Sequence, residues 1–184
     1  RSEWANDSDW PELVHNIRHR VGLNSGEMVT GNMGSSMRMN YTMMGDTVNL
    51  AARLEPAAKH YGVYILVSEH TQKAVEDFFE WRFLDFLRVK GKKKPVRGYE
   101  LISLKNEMTK DQSQLVQAFD EGIKLYNKQE WTKAKKLFKE SLSMEEKFID
   151  RPTTPSEVYL DRCDYFKAEP PGKNWDGIWT MKTK

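Results

Sequence analysis

The chain has 184 residues, which is enough for one domain or for a small domain with an appendage. Hydrophobic residues make up 39% and charged residues 30% of it, so part of the chain is expected to lie at a surface or to need a partner. The net charge of +2 excludes a general attraction to nucleic acid, and no apolar run is long enough to form a membrane span.

The first part of the chain alternates short apolar stretches with glycines, which is typical of strands and turns. This pattern predicts two strands joined by a turn over His19–Ser35 and a third strand over Met37–Thr42. A helix is predicted to follow, with Asp46 as its N-cap. Because Pro56 falls inside the helical pattern, the helix is expected either to kink there or to end and restart.

Four more elements are predicted before the composition changes. Val63–Val67 is a β-branched strand, and Ser68 is predicted to cap a helix that reaches about Phe78. Trp81–Val89 and Val96–Ile102 predict two strands joined by a lysine-rich turn. The order of strands and helices predicts an α+β sandwich with an antiparallel sheet.

After the last predicted strand the chain changes character. The polar segment Lys105–Ser113 predicts a linker, and apolar residues at helical spacing beyond it predict two antiparallel helices. The apolar faces of these helices comprise Leu115, Ala118, Phe119, Gly122, Ile123, Leu125 and Tyr126, then Ala134, Leu137, Phe138, Ser141 and Leu142. The spacing of their small and aromatic residues is similar to that of a tetratricopeptide repeat, and Ser156–Phe166 could supply a further helix.

The final segment, Pro170–Lys184, contains two tryptophans, Trp175 and Trp179, and is expected to be extended. We expect both indole rings to dock on the preceding domain, since large aromatic side chains favour burial. Two interpretations of the helical extension stay open. It is either a strap that packs on its own domain, which we favour, or an arm that binds another protein.

A specific signature lies in the sequence YTMMGDTVNLAARLE, residues Tyr41–Glu55, where a glycine–acid turn precedes Val-Asn and then an arginine. With the glycine-rich run before it and Val-Lys-Gly-Lys after it, the chain resembles the C-terminal half of a class III adenylate/guanylate cyclase catalytic domain over about Arg18–Leu101. It is most similar to bacterial adenylate cyclases with threonine at the base-selecting position. The resemblance implies an incomplete, ferredoxin-like α+β sandwich at residues 1–106, followed at 107–184 by a helical hairpin and an extended tail.

Asn49 and Arg53 are the candidate catalytic residues. Because they stand four residues apart on a predicted helix, their amide and guanidinium groups share one face. The resemblance implies that Asn49 orients the ribose of a nucleotide and that Arg53 stabilises the pentavalent phosphorus, a role suited to a planar, permanently charged donor. On spacing alone, an ordinary exposed helix face stays the alternative.

Three further residues are candidates for substrate binding. The resemblance places Thr42 at the position that selects the base, where a hydroxyl can accept from the adenine amino group. It assigns the β and γ phosphates to Lys90, with Lys92 as second choice. The alternatives are a threonine favoured by strand propensity and lysines that keep a strand edge from aggregating.

The metal-binding part of the family pattern is missing. In the family, two aspartates from an opening strand and a later turn hold the metal, and neither segment occurs before Arg18. The resemblance therefore implies two divalent cations, magnesium or manganese, bound by residues outside this chain. We predict that the chain alone is inactive and needs its missing N-terminal half or the second subunit of a homodimer.

The predicted function is adenylate cyclase, which converts ATP to 3′,5′-cyclic AMP and pyrophosphate for cyclic nucleotide signalling. Two alternatives stay open: a non-catalytic, cyclase-like regulatory or interaction module, and a guanylate cyclase. The lone Cys163 excludes an internal disulfide, and neither it nor the four histidines have metal-ligand spacing. A cytoplasmic location is expected, either for the chain itself or as the cytosolic part of a larger protein.

Overall fold

The computed structural model describes residues 9–11, 19–88, 95–145, 152–172 and 174–179. Within these residues the chain forms six strands and five helices. In chain order they are β1 (Val21–Leu23), β2 (Val29–Ser35), β3 (Arg38–Met44), α1 (Asp46–Tyr61), β4 (Ile65–Ser68), α2 (Glu69–Ala74), β5 (Phe79–Leu87), β6 (Val96–Leu104), α3 (Lys110–Asn127), α4 (Trp131–Met144) and α5 (Pro155–Ala168).

Four strands form one mixed sheet in the order β1-β4-β6-β5, and β2 and β3 form a separate antiparallel hairpin. β1 runs parallel to β4, whereas β6 is antiparallel to both β4 and β5. The α+β fold class is confirmed, but the prediction of a wholly antiparallel sheet is wrong at β1. The chain returns from β1 to β4 through α1, and a helical crossover brings the second strand back in the same direction.

Helix α1 begins directly after β3, and its start corrects one prediction. The N-cap is Gly45 rather than Asp46, and Gly45 has a φ of 150°, a conformation that favours glycine. Asp46 lies in the first turn instead, where the helix dipole favours a carboxylate. The helix runs through Pro56 to Tyr61 without restarting, because buried residues on both sides of the proline hold it against the core.

Helix α2 starts where the sequence predicts and ends sooner. The Ser68 hydroxyl accepts a hydrogen bond from the Thr71 N–H at 3.3 Å, which confirms the predicted cap. The helix ends at Ala74 rather than near Phe78, and none of its residues is buried. Because α2 has no apolar face to bury, extending it by another turn would add little stability.

Two capping boxes begin the helices of the extension. In α3 the side chains of Thr109 and Gln112 exchange hydrogen bonds with each other's backbone N–H, and Thr154 and Glu157 do the same in α5. The first box lies inside the predicted linker, so the connection after β6 is shorter than expected and spans residues 105–109.

One core joins the sheet to helix α1 and to the three helices of the extension. From the sheet side it contains Leu66 and Leu84, which are fully buried. From the extension it contains Phe119, Phe138 and Tyr159, and the Tyr159 hydroxyl donates to the Leu84 carbonyl at 2.8 Å. The extension is therefore packed directly on the sheet, as the strap interpretation expects.

The close approach of α3 and α4 depends on Gly122, the smallest residue on the predicted apolar face of α3. A Cβ at Gly122 would lie 2.7 Å from the ring of Phe138, so only glycine allows this crossing. The predicted helix pair is confirmed, and its likeness to a tetratricopeptide repeat stays a prediction.

The tail after α5 docks on these helices. The Trp175 ring lies 5.2 Å from Tyr126 and 4.9 Å from Phe166, and the Trp179 ring lies 5.3 Å from Tyr165. The prediction that both tryptophans dock is confirmed. None of the described helices has the length and apolar composition needed to cross a membrane.

Candidate active site on helix α1

The N-terminal half of α1 lies directly against β1. A Cβ at Gly22 would come within 2.5 Å of the Ala51 carbonyl oxygen and the Glu55 amide nitrogen, so strand and helix backbones nearly touch. The loop after β1 adds a hydrogen bond from Asn24 Nδ2 to the Thr47 carbonyl at 2.9 Å. These contacts set the direction of the first turns of α1 relative to the sheet.

Asn49 and Arg53 lie on the outer side of α1, next to Leu50 and Leu54, which are buried. Asn49 is exposed and Arg53 is half-buried. The helical rise puts the two residues about 6 Å apart along the axis. Within the described part of the chain, neither side chain has a hydrogen-bond or ion-pair partner. An amide and a guanidinium are therefore available together on one face.

Thr42 lies on β3, the strand that leads into α1 through Gly45 alone. It is exposed and stands opposite Gly31 on β2, where a Cβ would meet nothing within 4 Å. The space beside the Thr42 hydroxyl is therefore open. The other two candidates, Lys90 and Lys92, lie outside the described residues.

The hairpin that carries Thr42 exposes an unusual amount of apolar surface. Met37 is 94% exposed and Tyr41 is 74% exposed. We call the exposed apolar residues of β1, the hairpin and the residue before it the open surface; they are Val21, Leu23, Met28, Val29, Met37, Met39, Tyr41, Met43 and Met44. Large exposed apolar patches are typical of interaction surfaces.

The described residues do not fit a metal centre. No group of three or more His, Cys, Asp or Glu side chains among them could hold a metal ion. Cys163 is buried and free, and burial raises the pKa of its thiol to about 12.

Two buried ion networks, which the sequence analysis missed, join the helices to the sheet. Arg82 on β5 pairs with Glu100 on β6 and with Glu145 after α4. Arg162 on α5 pairs with Asp85 on β5 at 2.6 Å. Burial alone would lower the pKa of Arg82, but the two carboxylates outweigh burial and raise it.

A signal for the second network was present in the sequence. Arg162 occupies a place in an apolar stripe with helical spacing, together with Tyr159, Cys163 and Phe166. A charge at a core-facing position needs a buried partner, since an unpaired buried charge is very costly. The sequence could have predicted that a partner exists, but it could not have identified Asp85.

Comparison with known proteins identifies relatives for the part of the chain that carries this site. The family model described as "Adenylate and Guanylate cyclase catalytic domain" matches residues 4–103. "Adenylate cyclase, terminal-differentiation specific" from Dictyostelium discoideum is 33% identical over 147 residues, which cover 78% of this chain and 7% of that protein. "Adenylate cyclase 1" from Rhizobium meliloti is 34% identical over 104 residues, which cover 56% of this chain and 16% of that protein.

Among solved structures, the crystal structure of an adenylyl cyclase from P. aeruginosa is similar with a TM-score of 0.44 and 30% identity, over 59% of this chain and 53% of that one. The chain thus spans only a small part of the two curated relatives. Residues 1–103 make up little more than half of the chain. The match to the Dictyostelium protein, which covers 78% of it, therefore runs on into the helical extension.

Proposed function

The chain belongs to the family of adenylate and guanylate cyclase catalytic domains, and we propose that it is part of an adenylate cyclase that converts ATP to 3′,5′-cyclic AMP and pyrophosphate. The observation that carries the proposal is the pair Asn49 and Arg53, which share one face of α1 and have no partner among the described residues. In a chain that pairs its buried charges, an unpaired half-buried guanidinium favours a ligand.

The chemistry of cyclisation explains why these two groups are needed. The ribose 3′-oxygen attacks the α-phosphorus and gives up its proton to water, and the bond from the α-phosphorus to the pyrophosphate oxygen breaks, so that pyrophosphate leaves. Negative charge spreads over the α-phosphate oxygens in the transition state, where a fixed Arg53 guanidinium stabilises it. Asn49 holds the ribose so that the 3′-oxygen is in line, which removes the entropic cost of alignment from the chemical step.

Substrate selection is assigned to Thr42, and phosphate binding to Lys90 with Lys92 as second choice. A hydroxyl at position 42 accepts from the adenine amino group, and this supports ATP over GTP. The relatives from Dictyostelium and Rhizobium are both named as adenylate cyclases, which supports the same choice. A guanylate cyclase is the alternative within the family.

We propose further that this chain supplies the Asn–Arg half of a shared site and is inactive alone. The absence of a metal-binding group among the described residues is compatible with two divalent cations, magnesium or manganese, held by residues outside the chain. The open surface is the proposed contact for the second subunit of a homodimer or for the missing N-terminal half. The helical extension is proposed to act as a strap rather than as a free, repeat-like binding arm.

The test measures cyclic AMP from ATP and cyclic GMP from GTP, with magnesium or manganese, for this chain alone and for the protein with its upstream sequence restored. We expect cyclic AMP from the restored protein only. Arg53→Ala should lower kcat by about 100-fold to 1,000-fold, the typical loss for a group that stabilises transition-state charge.

Lys59→Ala is the matched control, because it removes an exposed cation from another side of the same helix. It should leave kcat within about twofold of wild type, as expected for a side chain that contacts no substrate. A restored protein that makes neither cyclic nucleotide would overturn the proposal in favour of a non-catalytic interaction module. Production of cyclic GMP alone would identify a guanylate cyclase.

A further inference from the structure

The C-terminal end of α1 meets the helical extension in a buried polar cluster. The Tyr61 hydroxyl donates to Asp85 Oδ2 at 2.6 Å, and Arg162 Nη1 donates to the same oxygen at 2.6 Å. Arg162 Nη2 donates to the Tyr61 hydroxyl oxygen at 3.1 Å. All three residues are buried, so one point of the core joins α1, β5 and α5.

The cluster is held together by the physical chemistry of burial. Removing either Arg162 or Asp85 would leave the other charge buried without compensation. Burial, and then the charge of Asp85, raises the pKa of Tyr61 far above its usual value, so the hydroxyl stays protonated and keeps donating. The Arg162 guanidinium also lies over the Tyr61 ring at 5.5 Å and the Trp179 ring at 5.1 Å, which encloses it further.

A second contact encloses the same end of α1. Gly62, which ends the helix with a φ of 63°, lies against the segment that leads into α5. A Cβ there would be 1.7 Å from the Thr153 carbonyl oxygen, so the extension passes directly over the helix terminus. The opposite end of α1 is held from the sheet side, where Asn24 binds the Thr47 carbonyl. Helix α1 is thus fixed at both ends, and one of the two anchors belongs to the extension.

We propose that Arg162 is a positioning residue for the cyclase reaction, acting through Tyr61 and Asp85 to hold α1 in the orientation that Asn49 and Arg53 require. The proposal rests on the proposed function, because it assumes that α1 carries the reacting contacts. Tyr61 lies eight residues after Arg53 and twelve after Asn49 in one continuous helix, about 12 Å and 18 Å along the axis. Releasing this anchor lets the helix tilt about its other end.

A tilt of α1 affects turnover more than binding. Misplacing a catalytic group by about 1 Å can lower the rate by about 100-fold, because alignment is lost in the transition state. Binding of the nucleotide also depends on groups that do not lie on α1, so KM should change less. The extension is on this view part of the catalytic unit.

The test compares two single hydroxyl deletions in the protein with its upstream sequence restored. Tyr61→Phe removes the two hydrogen bonds that join α1 to Asp85 and Arg162 but keeps the Arg162–Asp85 ion pair, so the variant should fold. Ser156→Ala is the matched control on α5, because its buried hydroxyl bonds Ser141 of α4 at 2.9 Å and makes no hydrogen bond to α1 among the described residues. For each protein we would measure kcat, KM for ATP, the thermal midpoint and hydrogen exchange of the α1 amides.

We expect Tyr61→Phe to lower kcat by about tenfold with KM within about twofold, and to speed exchange over residues 53–61, the part of α1 towards the released end. Ser156→Ala should lower the thermal midpoint by about as much as Tyr61→Phe does, but it should leave kcat and α1 exchange unchanged. Equal losses of kcat in the two variants, or an unchanged kcat in Tyr61→Phe, would overturn the proposal.

Failure of the proposed function and failure of the Arg162 proposal give different results. A wild-type protein that makes no cyclic nucleotide overturns the proposed function, and exchange then tests the anchor alone. Faster α1 exchange confined to Tyr61→Phe supports the anchor, and unchanged exchange in that variant overturns it.

Discussion

The two sides of the molecule differ sharply in how they treat apolar residues. On one side, α1 and the extension bury aromatic rings such as Phe119, Phe138 and Tyr159 against the sheet. On the other, the open surface leaves Met37 and Tyr41 largely in water. Both sides are rich in large apolar residues, so composition alone does not separate them.

The difference separates a packed side, which stabilises the fold, from a surface that is open to a partner. On the packed side the aromatic rings contact each other, and the buried arginines Arg82 and Arg162 are paired with carboxylates. The open surface has no cover there, yet its hairpin leads directly into α1 and the candidate catalytic residues. A surface of this kind gains free energy when a partner covers it. The candidate site and the proposed partner contact are therefore neighbours along the chain.

The largest expected effect tests the packed side. Phe138→Ala should lower the free energy of unfolding by about 4 kcal/mol, because it leaves a cavity among fully buried rings. Tyr41→Ala on the open surface should change it by less than about 0.5 kcal/mol, as for other exposed positions. Urea denaturation of the monomer measures both, and similar losses would contradict the comparison. If the proposed homodimer forms through the open surface, sedimentation should show that Tyr41→Ala weakens it.

A second, smaller contrast uses two glycines. Gly22→Ala should destabilise the protein by about 3 kcal/mol, because its Cβ would press on the backbone of α1 and overpack the contact. Gly31→Ala is the matched control, since its Cβ would meet nothing within 4 Å, and its effect should stay within about 0.5 kcal/mol. Thermal unfolding would show the contrast, and a Gly22→Ala protein as stable as wild type would argue against close packing of α1 on β1.

The smallest expected effect is a change of stability with pH. Burial raises the pKa of Asp120 on α3 from 3.8 to about 6. Between these two values the unfolded state ionises first, so the folded wild-type protein loses stability as the pH rises. Asp120→Asn removes this loss and should be more stable than wild type by about 1 kcal/mol at neutral pH, after allowance for partial exposure.

The pH dependence itself checks the prediction. Near pH 4 the advantage of Asp120→Asn should disappear, because the carboxyl is then largely protonated in the folded wild-type protein. Asp161→Asn on α5 is the control, since that side chain is exposed. Urea titrations at several pH values would measure the free energy of unfolding of both variants and of wild type. A stability gain of Asp120→Asn that is the same at pH 4 and pH 7 would indicate a cause other than ionisation.

Local signals predicted much of the fold. The sequence predicts the Ser68 cap, because a hydroxyl just before a helix can accept from one of its free N–H groups. The prediction of Asp46 as a cap is wrong, because the same local signal also fits a carboxylate in the first turn. The parallel pairing of β1 with β4 was missed, since pairing depends on contacts between residues far apart in the sequence.

The sequence by itself determined that Asn49 and Arg53 share a face, because a helical repeat of 3.6 residues requires it once the helix exists. It also determined the helix pair of the extension and the family signature, since both are local patterns of residue type and spacing. Only the tertiary structure decided that the extension packs on the sheet and that Arg162 reaches Tyr61 and Asp85. Such contacts join residues up to 101 positions apart, and they depend on how whole elements pack rather than on any local preference.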